Sequence, residues 1–224
     1  MALPFLDRAD AGRQLAGKLR HYRDQLGVIV LALPRGGVPV AYEVAHALHL
    51  PLDVFLVRKL GVPGHEELAM GAIASGGVQV LNHEVVKSLH IPPQAIEAVA
   101  NKERWELERR EQEYREGRAA PEIRGSTVIL IDDGLATGSS MLAAVRALRG
   151  QGASRIVVAV PVSSRETCLH FQGVADEIVC AEIPDYFQAV GEWYYDFSQT
   201  TDREVRELLK RADSERSLEH AGRK

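Results

Sequence analysis

The densest chemistry in the chain lies in Val128-Ile-Leu-Ile131, Asp132, Asp133, Gly134-Leu-Ala136, Thr137, Gly138, Ser139 and Ser140. Four apolar residues read as a buried strand, and that strand ends in two adjacent carboxylates. A short Gly/Thr/Ser loop follows and opens straight into a helical pattern. Backbone amides at such a helix start, joined by the hydroxyls of Thr137, Ser139 and Ser140, make an anion site that the helix dipole favours. The two acids cannot hold that anion themselves. They suit a neighbouring sugar diol, or a magnesium ion that accompanies phosphates. Other readings of these residues lack their parts. A Walker B strand also ends in acids, but no Gly-x4-Gly-Lys-[Ser/Thr] is present, and no Gly-x-Gly-x-x-Gly follows the first strand. An ordinary helix cap explains Ser139 but neither the paired acids nor the Thr-Gly step.

Elements of alternating type must position this loop. Asp7 is a good N-cap, and Leu15, Leu19 and Tyr22 follow at helical spacing, so an opening helix of about four turns is expected. The run 28–33 is apolar on both faces and bounded by Gly27 and Pro34, which predicts a buried parallel strand. Residues 38–48 have helical spacing, and 52–57 read as a second strand. A hairpin turning at Gly76-Gly77 is expected over 71–82. Residues 93–118 are different: twelve of the seventeen residues from Lys102 to Arg118 are charged, with Glu106–Arg110 and Glu111–Arg115 at supportive i,i+4 spacing. That pattern predicts a solvated helix that projects from the domain or braces it, with a partner-binding helix as the other reading. Strand 128–131, helix 139–149, strand 156–162, a short helix and strand 177–183 then follow. An aromatic-rich segment runs to Phe197, a helix starts at Asp202, and residues 219–224 read as a frayed tail. Such alternation argues for a parallel sheet with helices on both faces, and for one domain over 1–224.

Composition sets limits on function. The 224 residues carry a net charge of −4, without the basic footprint of a general nucleic-acid binder. Apolar runs are too short to span a bilayer, and the charges at Asp7 and Arg8 fall where a secretory apolar core should lie. Cys168 and Cys180 have no metal or redox spacing, so reduced thiols in a cytoplasmic protein are expected, with neither nucleic acid nor membrane as partner. His46 and His49 stand i,i+3 on a helix without an evident third ligand, which argues against a metal site there.

The 128–140 segment resembles the motif for phosphoribosyl pyrophosphate (PRPP) in the type I phosphoribosyltransferases: four apolar residues, two acids, then Thr-Gly and Ser/Thr. Two other segments resemble that family in the same chain order. Pro34-Arg35-Gly36-Gly37 after the first strand is similar to its pyrophosphate loop, where the resemblance implies a non-prolyl cis peptide between Pro34 and Arg35. Val57-Arg58-Lys59, before a loop with Gly61, Pro63, Gly64 and His65, resembles the start of its flexible catalytic loop. Finer likeness, to a bacterial group of phosphoribosyltransferases without an assigned acceptor, lies in Arg58-Lys-Leu-Gly-Val-Pro-Gly and Glu67-Leu-Ala-Met-Gly-Ala-Ile73. Phe187-x-x-Val-Gly, Tyr195-Asp-Phe and Phe5-Leu-Asp-Arg extend it over nearly the whole chain.

The resemblance implies an α/β fold: a Rossmann-like parallel sheet flanked by helices, with the charged helix 93–118 inserted and residues 184–216 forming a small C-terminal hood and terminal helix. It implies a Mg2+-dependent glycosyltransferase of nucleotide metabolism, moving a phosphoribosyl group from PRPP to a nitrogenous acceptor such as a nucleobase and releasing pyrophosphate. Its homodimeric state follows by family analogy only. The resemblance places the 5′-phosphate on Gly134 and Ala136, Thr137, Gly138, Ser139 and Ser140, and the ribose hydroxyls on Asp132 and Asp133. These acids also meet the magnesium, largely through PRPP. Arg35, Gly36 and Gly37 would hold the pyrophosphate, with Arg58 and Lys59 closing over it; Arg35, Lys59, Asp132 and Asp133 would be the catalytic set.

One departure bears on the acceptor. Ala136 stands where the 6-oxopurine enzymes carry a third carboxylate, which disfavours a hypoxanthine- or guanine-type base. Glu67, Asp185, Tyr186 and Phe187 are the acceptor candidates, and His65 and Glu67 are candidate acid/base groups on the loop. Trp193, Tyr194 and Tyr195 suit stacking on a planar base, or a small core under the terminal helix. A reading from another class is a PRPP- or nucleotide-sensing binding protein without transfer activity.

Overall fold

A computed structural model describes the backbone of residues 4–222 and the side chains of 4–218. Asp7 caps the first helix as expected, its Oδ1 accepting from the Asp10 N–H at 2.7 Å, and α1 (Arg8–Lys18) buries Ala11, Leu15 and Ala16. A 3-10 turn carries Tyr22 onward. Strand β1 (Val28–Ala32) is buried at every position, so both its faces are covered, and α2 (Gly37–Leu48) follows it directly. After β2 (Leu52–Val54) the single expected strand 52–57 divides. Ser75 takes the chain at Leu56, its Oγ accepting the Leu56 N–H at 2.8 Å, and turns it into β3 (Val57–Val62) of another sheet. Val54, Phe55 and Leu56 are all buried, so the apolar pattern runs unbroken across the division.

The segment expected as a loop after Lys59 is a strand hairpin. Strand β3 pairs antiparallel with β4 (His65–Ala74) through a turn at Pro63-Gly64, where Gly64 adopts φ 79°. Strand β5 (Val78–Leu81) pairs with β4 across Ser75-Gly76-Gly77, which is the expected second hairpin, and the three strands form a small separate sheet. Next come α3 (His83–Ser88) and the charged α4 (Pro93–Arg115), followed by β6 (Thr127–Ile131) and α5 (Ser139–Gly150). Strand β7 (Arg155–Val162), α6 (Arg165–Phe171), β8 (Glu177–Glu182) and α7 (Asp202–Gly222) complete the chain. Of the tail 219–224, residues 223 and 224 lie outside the described residues, as do 1–3, and the backbone is helical to Gly222.

The main sheet is parallel throughout, in the order β2-β1-β6-β7-β8. One face packs on α1, α2, α4 and α7, the other on α5, and the small sheet contributes side chains to both clusters. Helix α5 buries Met141, Ala144, Val145 and Leu148 at i, i+3, i+4 and i+7, one apolar stripe, with each large side chain contributing about 1.5–3 kcal/mol. That anchoring fixes where its first turn sits. The charged α4 braces the domain. Its Arg115 is bonded to Asp53 of β2, its Glu103 to Arg58 of β3 and its Tyr114 to Asp202 of α7. Although twelve residues apart, Cys168 and Cys180 bring their sulfurs to 2.6 Å as free thiols, because α6 folds back on β8. The Cys180 thiol draws the Cys168 thiol down to about 7. Among the described residues no helix is long and apolar enough to cross a membrane.

Candidate functional site

Strands β1 and β6 are neighbours in register, Ala32 opposite Ile131, and the chain leaves them toward opposite edges of the sheet. A crevice at the carboxyl ends of such a pair is where open α/β sheets bind ligands. The loop after β1 lies against the two acids after β6, and its Pro34–Arg35 peptide is cis. A Cβ on Gly37 would sit 2.8 Å from the Ile131 carbonyl oxygen and 2.9 Å from the Asp132 Cα. A Cβ on Gly36 would strike the Asp133 carboxylate, with Cγ at 2.7 Å. Both glycines are needed for close approach rather than for an unusual φ. Segments nearly one hundred residues apart in sequence thus share one wall.

The two acids are mostly buried and held individually. The Asp133 backbone N–H donates to Asp132 Oδ1 at 2.9 Å. Arg8 places Nε at 2.9 Å and Nη2 at 2.8 Å from Asp133 Oδ2. Burial pushes the Asp132 carboxyl well above the usual carboxylate range, and the neighbouring Asp133 charge pushes it further. Burial also raises Asp133, opposed by the Arg8 guanidinium. From the hood, the Tyr194 hydroxyl donates to the Asp133 carbonyl at 2.6 Å, and Val190 packs so tightly on Gly134 that a Cβ there would lie 2.5 Å from Val190 Cγ1. Arg8 is the site residue that sequence reasoning missed. Its only signal was membership in Phe5-Leu-Asp-Arg, and one arginine in a helical first turn has no local signature.

The loop 136–140 is fixed from beneath. Thr167 Oγ1 of α6 donates to the Ala136 carbonyl at 2.9 Å, and Phe171 fills the space beside Gly138, which adopts φ 71°. Among the described residues no side chain caps the α5 amides, while Thr137 and Ser139 hydroxyls stand 3.2 Å apart at the same turn. Lys59, Ser139, Ser140 and Arg146 line a cavity of about 260 Å³ between the small sheet and α5. Lys59 therefore shares this cavity with the end of the 136–140 loop, and its Nζ lies 3.4 Å from Glu67 Oε2. Arg58, one residue earlier, instead donates to Glu103 on α4 at 2.6 Å. Arg35 lies 3.8 Å from Asp202 at the start of α7.

The acceptor candidates lie on open surface. Glu67 is fully exposed on β4 beside Lys59, and His65 opens the same strand at the hairpin turn. Tyr186 is 91% exposed, Asp185 is exposed next to Arg165, and Phe187 packs partly on the core. Tyr194 is buried against Phe5 and Phe197, Trp193 packs on the core and Tyr195 is exposed, so the small-core reading describes the first two. His46 pairs with Glu215 and His49 with Asp24. Among the described residues no cluster of three or more His, Cys, Asp or Glu side chains could enclose a metal. Asp132 and Asp133 do offer hard oxygens, which fits a magnesium ion whose other ligands are phosphate and sugar oxygens.

The family model described as the phosphoribosyl transferase domain matches residues 5–197. A Mycobacterium tuberculosis protein provisionally named a phosphoribosyl transferase is 49% identical over 208 residues, 93% of this chain and 47% of that protein. The chain spans about half the length of the curated relatives it matches. The crystal structure of TT1426 from Thermus thermophilus is similar over 92% of this chain and 98% of that one, with 42% identity and a TM-score of 0.81.

Proposed function

The chain belongs to the phosphoribosyl transferase domain family, and from that premise we propose that it transfers the phosphoribosyl group of PRPP to a nitrogenous acceptor, releasing pyrophosphate. One observation carries the reading: the Arg35-Gly36-Gly37 loop, the Asp132-Asp133 pair and the 136–140 loop meet at the carboxyl ends of two adjacent strands. On this reading the α5 amides and the Thr137, Ser139 and Ser140 hydroxyls bind the 5′-phosphate. Asp132 and Asp133 accept hydrogen bonds from the ribose hydroxyls. Arg35 and the amides of Gly36 and Gly37 take the pyrophosphate, and Lys59 approaches it from the small sheet.

The acceptor nitrogen forms a bond to C1 of the ribose as the bond to pyrophosphate breaks, through an oxocarbenium-like state. The work of the chain is to align donor and acceptor and to offset charge on the leaving group. Asp132 and Asp133 would also hold Mg2+, which when bound neutralises part of the pyrophosphate charge. Arg58 must exchange Glu103 for a phosphate to join Lys59. Ala136 in place of a third carboxylate argues for an acceptor other than a 6-oxopurine. Family analogy alone supports a role in cytoplasmic nucleotide metabolism and a homodimer as the working form.

Incubation with PRPP and Mg2+ against a panel of nucleobases and small amines, following pyrophosphate, tests the reading. Release with one acceptor supports transfer. Calorimetric PRPP binding with no release for any acceptor assigns the site to sensing, and no binding overturns both. Gly36→Ala should raise the PRPP Kd by at least about tenfold, about 1.4 kcal/mol, because the new methyl displaces the Asp133 carboxylate or the pyrophosphate loop. Unchanged affinity in that variant would separate the loop from the site.

A further inference from the structure

We propose that Arg8, on the first turn of α1, is a positioning residue that sets the Asp133 carboxylate for the ribose hydroxyls, an inference that rests on the transfer reading above. Arg8 and Asp133 side chains are only 11% and 16% exposed. Both Nε and Nη2 converge on Oδ2 of Asp133, so the second carboxylate oxygen, Oδ1, is engaged by neither. The third guanidinium nitrogen, Nη1, donates to the Ser198 carbonyl at 2.7 Å, and the guanidinium carbon lies 4.0 Å from the Phe197 ring centre. Nε also stands 3.3 Å from where a Gly36 Cβ would be, at the edge of the pyrophosphate loop.

One side chain therefore joins four parts of the fold: the start of α1, the end of β6, the loop after β1 and the hood. A planar fork can do this; a point charge cannot reach the carboxylate and the Ser198 carbonyl with comparable geometry. The Tyr194 hydroxyl holds the Asp133 backbone at 2.6 Å from the same side. The backbone of Asp133 is thus fixed by the hood and its side chain by the N-terminal helix. Its Oδ1, which Arg8 does not bond, is aimed by that clamp on Oδ2 rather than by its own rotamer alone. The hood, whose Trp193 and Tyr194 pack as a small core, thereby serves as the seat of that arginine.

A double-mutant cycle read by PRPP calorimetry in Mg2+, taken to millimolar ligand, tests the assignment. Arg8→Gln is expected to weaken PRPP binding at least about tenfold, and Arg8→Lys to recover part of the loss, because charge returns without the fork. In an Asp133→Asn background, Arg8→Gln should cost less than about twofold more, since its effect passes through that carboxylate. Thermal unfolding of each variant is followed in parallel. Wild-type PRPP affinity in Arg8→Gln, with a lowered melting temperature, would reduce Arg8 to a structural clamp and overturn the inference. Multiplying losses in the double variant would also overturn it, because Arg8 would then act on the ligand independently. Failure of the wild type itself to bind PRPP would bring down the transfer reading and this inference together.

Discussion

Asp133→Asn is expected to lower pyrophosphate release by at least about a hundredfold, because two charge-assisted hydrogen bonds, each about 1.5–3 kcal/mol, lose their acceptor charge. The substitution conserves size and leaves the backbone contacts to Tyr194 and Asp132 in place. The change is therefore electrostatic. An amide cannot accept from both a ribose hydroxyl and the Arg8 fork as a carboxylate does, and it leaves a nearly buried guanidinium without its anion. Stability should move little. Burial disfavours the Asp133 charge and its repulsion raises Asp132, so neutralising it relieves one cost while stranding Arg8 adds another. Activity falling far more than melting temperature marks a residue in the reaction rather than in the fold. Release within tenfold of wild type would remove Asp133 from the site.

Arg115→Met is the substitution with the largest expected effect on stability, about 3–5 kcal/mol, since it takes the guanidinium from two nearly buried carboxylates, Asp53 and Glu111. For a chain of this size that corresponds to a fall of roughly 6–20 °C in Tm. Arg115 and Asp53 are 11% and 10% exposed, with Nε and Oδ2 2.9 Å apart, and Arg115 also reaches the Val54 carbonyl at 3.3 Å. Burial raises the Asp53 carboxyl even with the guanidinium beside it, and removing Arg115 lets it rise further. The folded value then lies above the unfolded one, so between them the folded state binds more protons and stability falls as pH rises. Acidification from neutrality toward the ordinary carboxylate range should therefore restore part of the Arg115→Met loss. Asp53→Asn in the same chain should restore more. Denaturant unfolding at several pH values measures both, and a loss below about 1 kcal/mol at neutral pH would contradict a bracing role for α4.

What the amino-acid order disclosed was local. Each apolar run and each helical stripe of the main sheet could be read directly, because burial on both faces or on one stripe leaves its own period. Asp7 as cap, the 128–140 strand-loop-helix and the hairpin at Gly76-Gly77 all depend on neighbours within a few residues. Where the reading departed from the fold, the cause was distant. The run 52–57, apolar but for Asp53, supplies strands to two different sheets, and Ser75, nineteen residues away from Leu56, bonds the chain at the division. Gly61, Pro63 and Gly64 suggested an open loop, yet the strands on either side pair, and their Leu60, Val62, Met70 and Ile73 are buried in one cluster with Ala100 and Leu107 of α4. Arg58 and Lys59 looked like one pair of cations, whereas Lys59 lines the cleft and Arg58 is bonded to α4. Arg8 became visible only when α1, β6 and the hood were seen together. Its partner is 125 positions away.

A crystal structure of the chain with PRPP and Mg2+ tests the central claim most directly. The 5′-phosphate is expected at the amides of residues 136–140, the ribose hydroxyls at Asp132 and Asp133, and the pyrophosphate at Arg35, Gly36 and Gly37. PRPP bound elsewhere, with those three segments free of it, would contradict the account.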